Sequence, residues 1–124
     1  MGNSPGRYDR YLHAARRVDR WLRELWELVQ SNPEMRGRTT LVFTTDHSRG
    51  ATAENWTSHG ESIPESGAWW CAVLGPDTPA LGERKQCAPV KQAQIAATIA
   101  KLLGEDFRAA TPQAAEPIAD VFAR

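Results

Sequence analysis

From Tyr11 to Val29 the apolar residues Tyr11, Ala14, Ala15, Val18, Trp21, Leu22, Leu25, Leu28 and Val29 recur at spacings of three and four, the period that places one broad apolar face on a helix. Ser4 reads as the N-cap, with Pro5 in the first turn where its missing N–H costs nothing, and Asn32-Pro33 ends the helix. Arg20 with Glu24 and Arg23 with Glu27 make i,i+4 pairs on the outer face. The pattern then changes. Residues 39–45, TTLVFTT, are almost all β-branched or aromatic, and residues 68–74, AWWCAVL, are apolar throughout, so both read as buried strands, the second closed by Gly75-Pro76. Between them lies a polar loop, 46–67, rich in Gly, Ser, Thr and Glu. Ile95, Ile99, Leu102 and Leu103 mark a second amphipathic helix starting near Lys91, with Gly104 as its C-terminal cap. The Ala- and Pro-rich stretch 108–124 reads as a loosely ordered tail.

Composition narrows the class. The 124 residues carry a formal net charge of 0, with 41% hydrophobic and 24% charged residues, which fits one soluble globular domain and excludes a disordered chain. Balanced charge offers no electrostatic reason to expect nucleic acid or an anionic membrane as partner. No apolar run approaches the ~20 residues of a membrane span, and MGNSPGRYDRYL lacks the apolar segment of a signal peptide. Cys71 and Cys87 have no metal-site spacing, and Cys71, in an apolar run, reads as a buried small hydrophobe.

As a complete domain this inventory is thin. Two strands and two helices make a sheet that is marginal without further strands or a partner, and a polar loop of the length of 46–67 is usually functional or disordered. The expectation is therefore a partial α/β domain over residues 1–124, the C-terminal part of a larger catalytic domain, with apolar surface left open to self-association.

The candidate chemistry sits where the first strand ends. TTLVFTT runs into Asp46 and His47, and the carboxyl ends of strands are where open α/β sheets bind ligands. Asp46 and His47 offer an oxygen and an imidazole nitrogen, a pair suited to zinc and similar divalent metals. Further along, in WTSHGES, comes His59 followed by Gly60, which permits a tight turn. Two histidines and an aspartate fall one short of a closed tetrahedral site and leave a position for water or substrate. On residue types alone the plainer reading is favoured: Asp46 caps the following turn and His59 is an exposed loop histidine.

The order of the pieces shifts that balance. RYDRYLHAARRVDRWLREL, a strand ending TTDHSRG, ENWTSHGES, the strand AWWCAVLGP and the helix VKQAQIAATIAKLLG, in this order from about Gly6 to Gly104, resemble the C-terminal part of alkaline phosphatase superfamily hydrolases, in the phosphodiesterase, sulfatase and phosphoglycerate mutase-like branches. The resemblance implies a mostly parallel sheet flanked by helices, with a two-metal site at its carboxyl edge. Carried over residue by residue, Asp46 and His47 would serve one metal and His59 the other. The cofactor would be zinc, with manganese as the alternative, and the substrate of the full-length protein a small phosphate or sulfate ester. Relatives are often exported.

Departures from that pattern are equally specific. The family nucleophile, a serine, threonine or modified cysteine, has no counterpart here, nor do two further aspartate ligands. Members carry an aspartate followed four residues later by a histidine just before the segment matching GRYDRYL; Ser4 falls about where that histidine would be. Ser48 stands where members usually have glycine. The alternative to a hydrolase part is a non-catalytic truncated remnant or partner-binding module.

Other residues have ordinary roles in this reading. His13 is a surface or boundary histidine, and Trp21 and Trp26 belong to core and boundary packing. Trp69 and Trp70 point to opposite faces of their strand. Trp56 lines the site or packs the loop, and Arg49 meets a substrate anion or stays exposed.

Overall fold

The computed structural model describes residues 7–122. The chain divides into two compact units, Met1–Ala72 and Val73–Arg124.

In the first unit the 3–4 periodicity forms one helix, α1 (Tyr8–Ser31), with Arg7 at its N-cap. The expected capping residues Ser4 and Pro5 lie outside the described residues. Asn32 ends the helix as expected: its N–H donates to the Leu28 carbonyl at 3.0 Å, and its side-chain oxygen accepts from Glu34 N–H at 2.8 Å. The pairs Arg20–Glu24 (3.5 Å) and Arg23–Glu27 (2.8 Å) form in full contact with water, where they contribute little.

The apolar face of α1 splits into two stripes. Leu22, Trp26 and Val29 are shielded, and Val29 alone of the helix is fully buried. Val18, Trp21, Leu25 and Leu28 lie open, Trp21 at 54% exposure. Their 3-4-3 spacing is the seam spacing of paired helices. Trp21, expected in the core, is therefore a surface residue.

Two strands follow, β1 (Leu41–Thr44) and β2 (Cys71–Leu74), each shorter than its apolar stretch in the sequence. They form a two-stranded antiparallel sheet. Thr45 N–H donates to the Trp70 carbonyl at 3.3 Å, and the Thr44 hydroxyl reaches the same oxygen at 3.2 Å. This corrects the expectation of a mostly parallel sheet flanked by helices. A parallel return needs a crossover, usually a helix, and between β1 and β2 there is only a single 3-10 turn, Pro64–Gly67. Without a crossover the second strand comes back in the opposite sense. Trp69 is half-buried and Trp70 55% exposed, but both precede β2 and are not strand residues as expected. Cys71 is half-buried, and burial pushes its thiol up from its ordinary pKa.

The second unit is built on α2 (Ile95–Leu102), which a 3-10 turn at Gln92–Gln94 leads into. Gln94 Oε1 accepts from Lys91 N–H at 2.9 Å and so closes the entry turn. At the other end Gly104 adopts φ 82°, and Glu105 N–H reaches the Ala100 carbonyl at 2.9 Å while Gly104 N–H reaches Lys101 at 3.1 Å. These are the two bonds of a Schellman cap, which needs a residue at ease with positive φ.

Beyond α2 the chain forms a short helix, α3 (Phe107–Ala110), whose N-cap Asp106 accepts from Arg108 N–H at 2.9 Å, and a 3-10 turn at Ala119–Val121. In the stretch read from sequence as a loose tail, Ile118 and Val121 are buried, as is Ala97 on α2. Thr98, at 1% exposure, donates to the Gln94 carbonyl at 2.7 Å and accepts from Ile118 N–H at 2.9 Å. Arg84 pairs with Asp120 at 2.8 Å and Arg108 with Glu116. No helix among the described residues is long and apolar enough to cross a membrane.

Candidate metal centre

The chain leaves β1 through Thr45 and turns at Asp46, whose Oδ1 accepts from His47 N–H at 2.9 Å. That bond holds the exposed Asp46 carboxyl below its ordinary pKa, with the nearby His47 and His59 acting in the same sense. Asp46 therefore caps the turn and also presents an ionised oxygen.

His47 is oriented by its neighbour. Its Nδ1 lies 2.7 Å from the Ser48 carbonyl oxygen. A carbonyl only accepts, so Nδ1 carries the hydrogen. The other nitrogen, Nε2, faces Asp46 Oδ2 at 3.3 Å. Two electron-pair donors at that separation repel unless a proton or cation lies between them. An imidazole fixed through one nitrogen by a backbone carbonyl, with the other aimed at a carboxylate, is the arrangement that readies histidine for a metal.

His59 comes to the same edge from the far side of the loop. Its ring stacks on His47 with centroids 4.6 Å apart and planes 18° off parallel. Loop bonds bring it there. Ser48 N–H donates to the Ser66 carbonyl and Gly50 N–H to the Ser58 carbonyl, each at 2.9 Å. Asn55 Oδ1 accepts from Thr52 N–H at 2.8 Å and from its hydroxyl at 3.0 Å. Ser48 thus uses its backbone on both sides, its N–H toward Ser66 and its carbonyl toward His47.

The tight turn expected beside His59 forms, with Ile63 N–H donating to the Gly60 carbonyl at 2.9 Å, but it does not depend on glycine. Gly60 has no positive φ, and a Cβ there would meet open space. Gly50 is the position that requires glycine: it is buried, and a Cβ would overlap the Asn55 side chain and carbonyl.

The three residues singled out in the sequence, Asp46, His47 and His59, are thus gathered at the end of β1. They fit a divalent cation in donor type and in the fixed tautomer of His47. They do not make a finished cage: among the described residues no group of three His, Cys, Asp or Glu side chains is arranged to hold a metal ion. His13 is exposed on α1, away from any such group.

Beside these residues lies a cleft of about 620 Å³. Tyr8 and Tyr11 of α1 form one wall, their rings 5.7 Å apart. Trp56 meets the Tyr8 ring edge-on at 5.2 Å, and the Arg49 guanidinium lies 4.5 Å from the centre of the Tyr11 ring. Trp56 and Arg49 are raised for the site by the sequence, whereas Tyr11 is read there only as part of the apolar helix face. The i,i+3 spacing of Tyr8 and Tyr11, which puts both rings on one side of the first helical turn, was the available signal. No family model, no curated protein and no solved structure matches this chain.

Proposed function

We propose that the chain supplies Asp46, His47 and His59 to the divalent-metal site, zinc or manganese, of a phosphate- or sulfate-ester hydrolase of the alkaline phosphatase superfamily. The observation that carries this reading is the His47–His59 stack beside the Asp46 carboxylate, assembled at the end of β1 from two ends of one loop. A divalent metal there would polarise an ester's non-bridging oxygens and stabilise the leaving oxygen. Asp46 contributes charge, the Ser48 carbonyl fixes the His47 tautomer, and the loop bonds hold His59 in place. The nucleophile and remaining ligands have no counterpart in this sequence.

Cobalt(II) absorption and zinc calorimetry on the purified chain test the reading. Binding that weakens at least about tenfold in Asp46→Asn and His59→Ala is the expected result. Equal affinity in the wild type and in a variant lacking all three side chains overturns it. The chain loaded with zinc or manganese is expected not to hydrolyse 4-nitrophenyl phosphate or sulfate, since it lacks a nucleophile. Metal-dependent turnover abolished by His59→Ala would show that these residues suffice.

A second reading, a non-catalytic module that pairs with a partner or with itself, is favoured by the open stripe Val18, Trp21, Leu25 and Leu28. It predicts an apparent mass that rises with concentration in light scattering and returns to that of a monomer in Leu25→Glu. A concentration-independent monomer excludes self-pairing.

A further inference from the structure

We propose that the cleft between the start of α1 and the loop after β1 binds a planar aromatic group bearing a tetrahedral oxyanion, an aryl phosphate or sulfate, with the ring against Trp56 and Tyr11 and the anion on Arg49. The inference rests on the hydrolase reading for what the site is for, and on the cleft itself for what it binds. Three observations carry it.

The first is size and lining. A volume of about 620 Å³ is in the range of small-molecule pockets. Tyr8, Tyr11 and Trp56 give it aromatic surface, while Gly50, Ala51 and Ala53 keep the loop side clear of bulky side chains. The second is charge. Among the described residues that line the cleft, Arg49 is the one lysine or arginine and Glu65 the one carboxylate, so an oxyanion is favoured at the Arg49 end and away from Glu65. A guanidinium lying over an aromatic ring keeps its N–H edge available for two parallel bonds to an oxyanion. The third is continuity with the metal-ligand candidates. Arg49 follows His47 by two residues and Trp56 precedes His59 by three, so the anion end and the ring end of the cleft each lead along the backbone to one of the stacked imidazoles. Two residues span at most about 7 Å. Ser48, next to His47, itself lines the cleft, so the pocket begins one residue from that imidazole.

The indole N–H resonance of Trp56, assigned by its absence in Trp56→Phe, reports on the cleft during titration of the 124-residue chain with phenyl phosphate, phenyl sulfate, inorganic phosphate and phenol. All titrations are run in EDTA, so that metal ligation plays no part. Both aryl esters are expected to shift this resonance and to bind about tenfold more tightly than inorganic phosphate or phenol alone. Arg49→Gln is expected to reduce ester binding to the level of phenol. Arg49→Lys, which keeps the charge and loses the planar fork, is expected to bind the esters more weakly than the wild type and more tightly than Arg49→Gln. A Trp56 resonance unmoved by either ester, or moved alike in the wild type and Arg49→Gln, overturns the inference. Since metal is absent throughout, loss of metal binding in the cobalt experiment leaves this result standing, and failure here leaves the metal reading standing.

Discussion

Gly50→Ala is expected to destabilise the first unit by about 2–4 kcal/mol, as overpacking of a buried, fully contacted position does. The added carbon would overlap Oδ1, Cγ and the backbone carbonyl oxygen of Asn55. The side chain cannot simply swing aside, because Oδ1 accepts from both the N–H and the hydroxyl of Thr52. The carbonyl moves only with the backbone, which would break the bond it accepts from Ser58 N–H at 2.8 Å. Asn55→Ala alone removes one cap and costs about 1 kcal/mol. Combined with Gly50→Ala it is not expected to restore stability, since the clash with the carbonyl remains. Urea unfolding of the three variants is the measurement, and a double variant as stable as Asn55→Ala would refute the account. Because the same bonds carry His59 to His47, Gly50→Ala is also expected to weaken zinc binding.

Thr98→Val should cost about 1–3 kcal/mol in the second unit, the usual cost of leaving a buried donor unpaired. Valine matches threonine in shape, so packing is kept while the acceptor for Ile118 N–H is lost at a position 1% exposed. Thr98→Ser keeps the hydroxyl and should retain the bridge, losing only the contacts of one methyl group. Denaturant unfolding separates the two cases. A Val variant as stable as the wild type would dismiss the hydroxyl, since valine keeps the methyl group and loses only the oxygen that receives Ile118 N–H. Amide exchange at Ile118 gives an independent reading, with protection lost in Val and kept in Ser.

Local pattern revealed the elements and little of their arrangement. The 3–4 spacing in α1, the stop at Asn32 and the cap at Gly104 depend on neighbours within one or two turns, and they are visible in the sequence. The direction of β2 depends on what the intervening chain can do. The apolar run AWWCAVL looked like an interior parallel strand because nothing within it reports the missing crossover or the exposure of Trp70. The burial of Ile118 and Val121 was hidden for a related reason: the residue that receives Ile118, Thr98, lies twenty positions away on α2. At the candidate site, Asp46 and His47 could be placed because a strand end is a local signal. The approach of His59 to the same edge is expected from the resemblance alone, because no local pattern reports the backbone bonds from Ser48 to Ser66 and from Gly50 to Ser58 on which it rests.

Helix α1 is about 36 Å long at the usual rise per residue, and it is secured near its two ends by different means. At the start, Tyr8 and Tyr11 lean on Trp56; near the finish, Val29 is buried. The turns between them, around Arg16 to Arg20, rely on their own backbone bonds and stand in water. The helix is in effect a beam on two supports. A helix held this way would answer a displacement at Trp56 by tilting about Val29 before it bends in the middle.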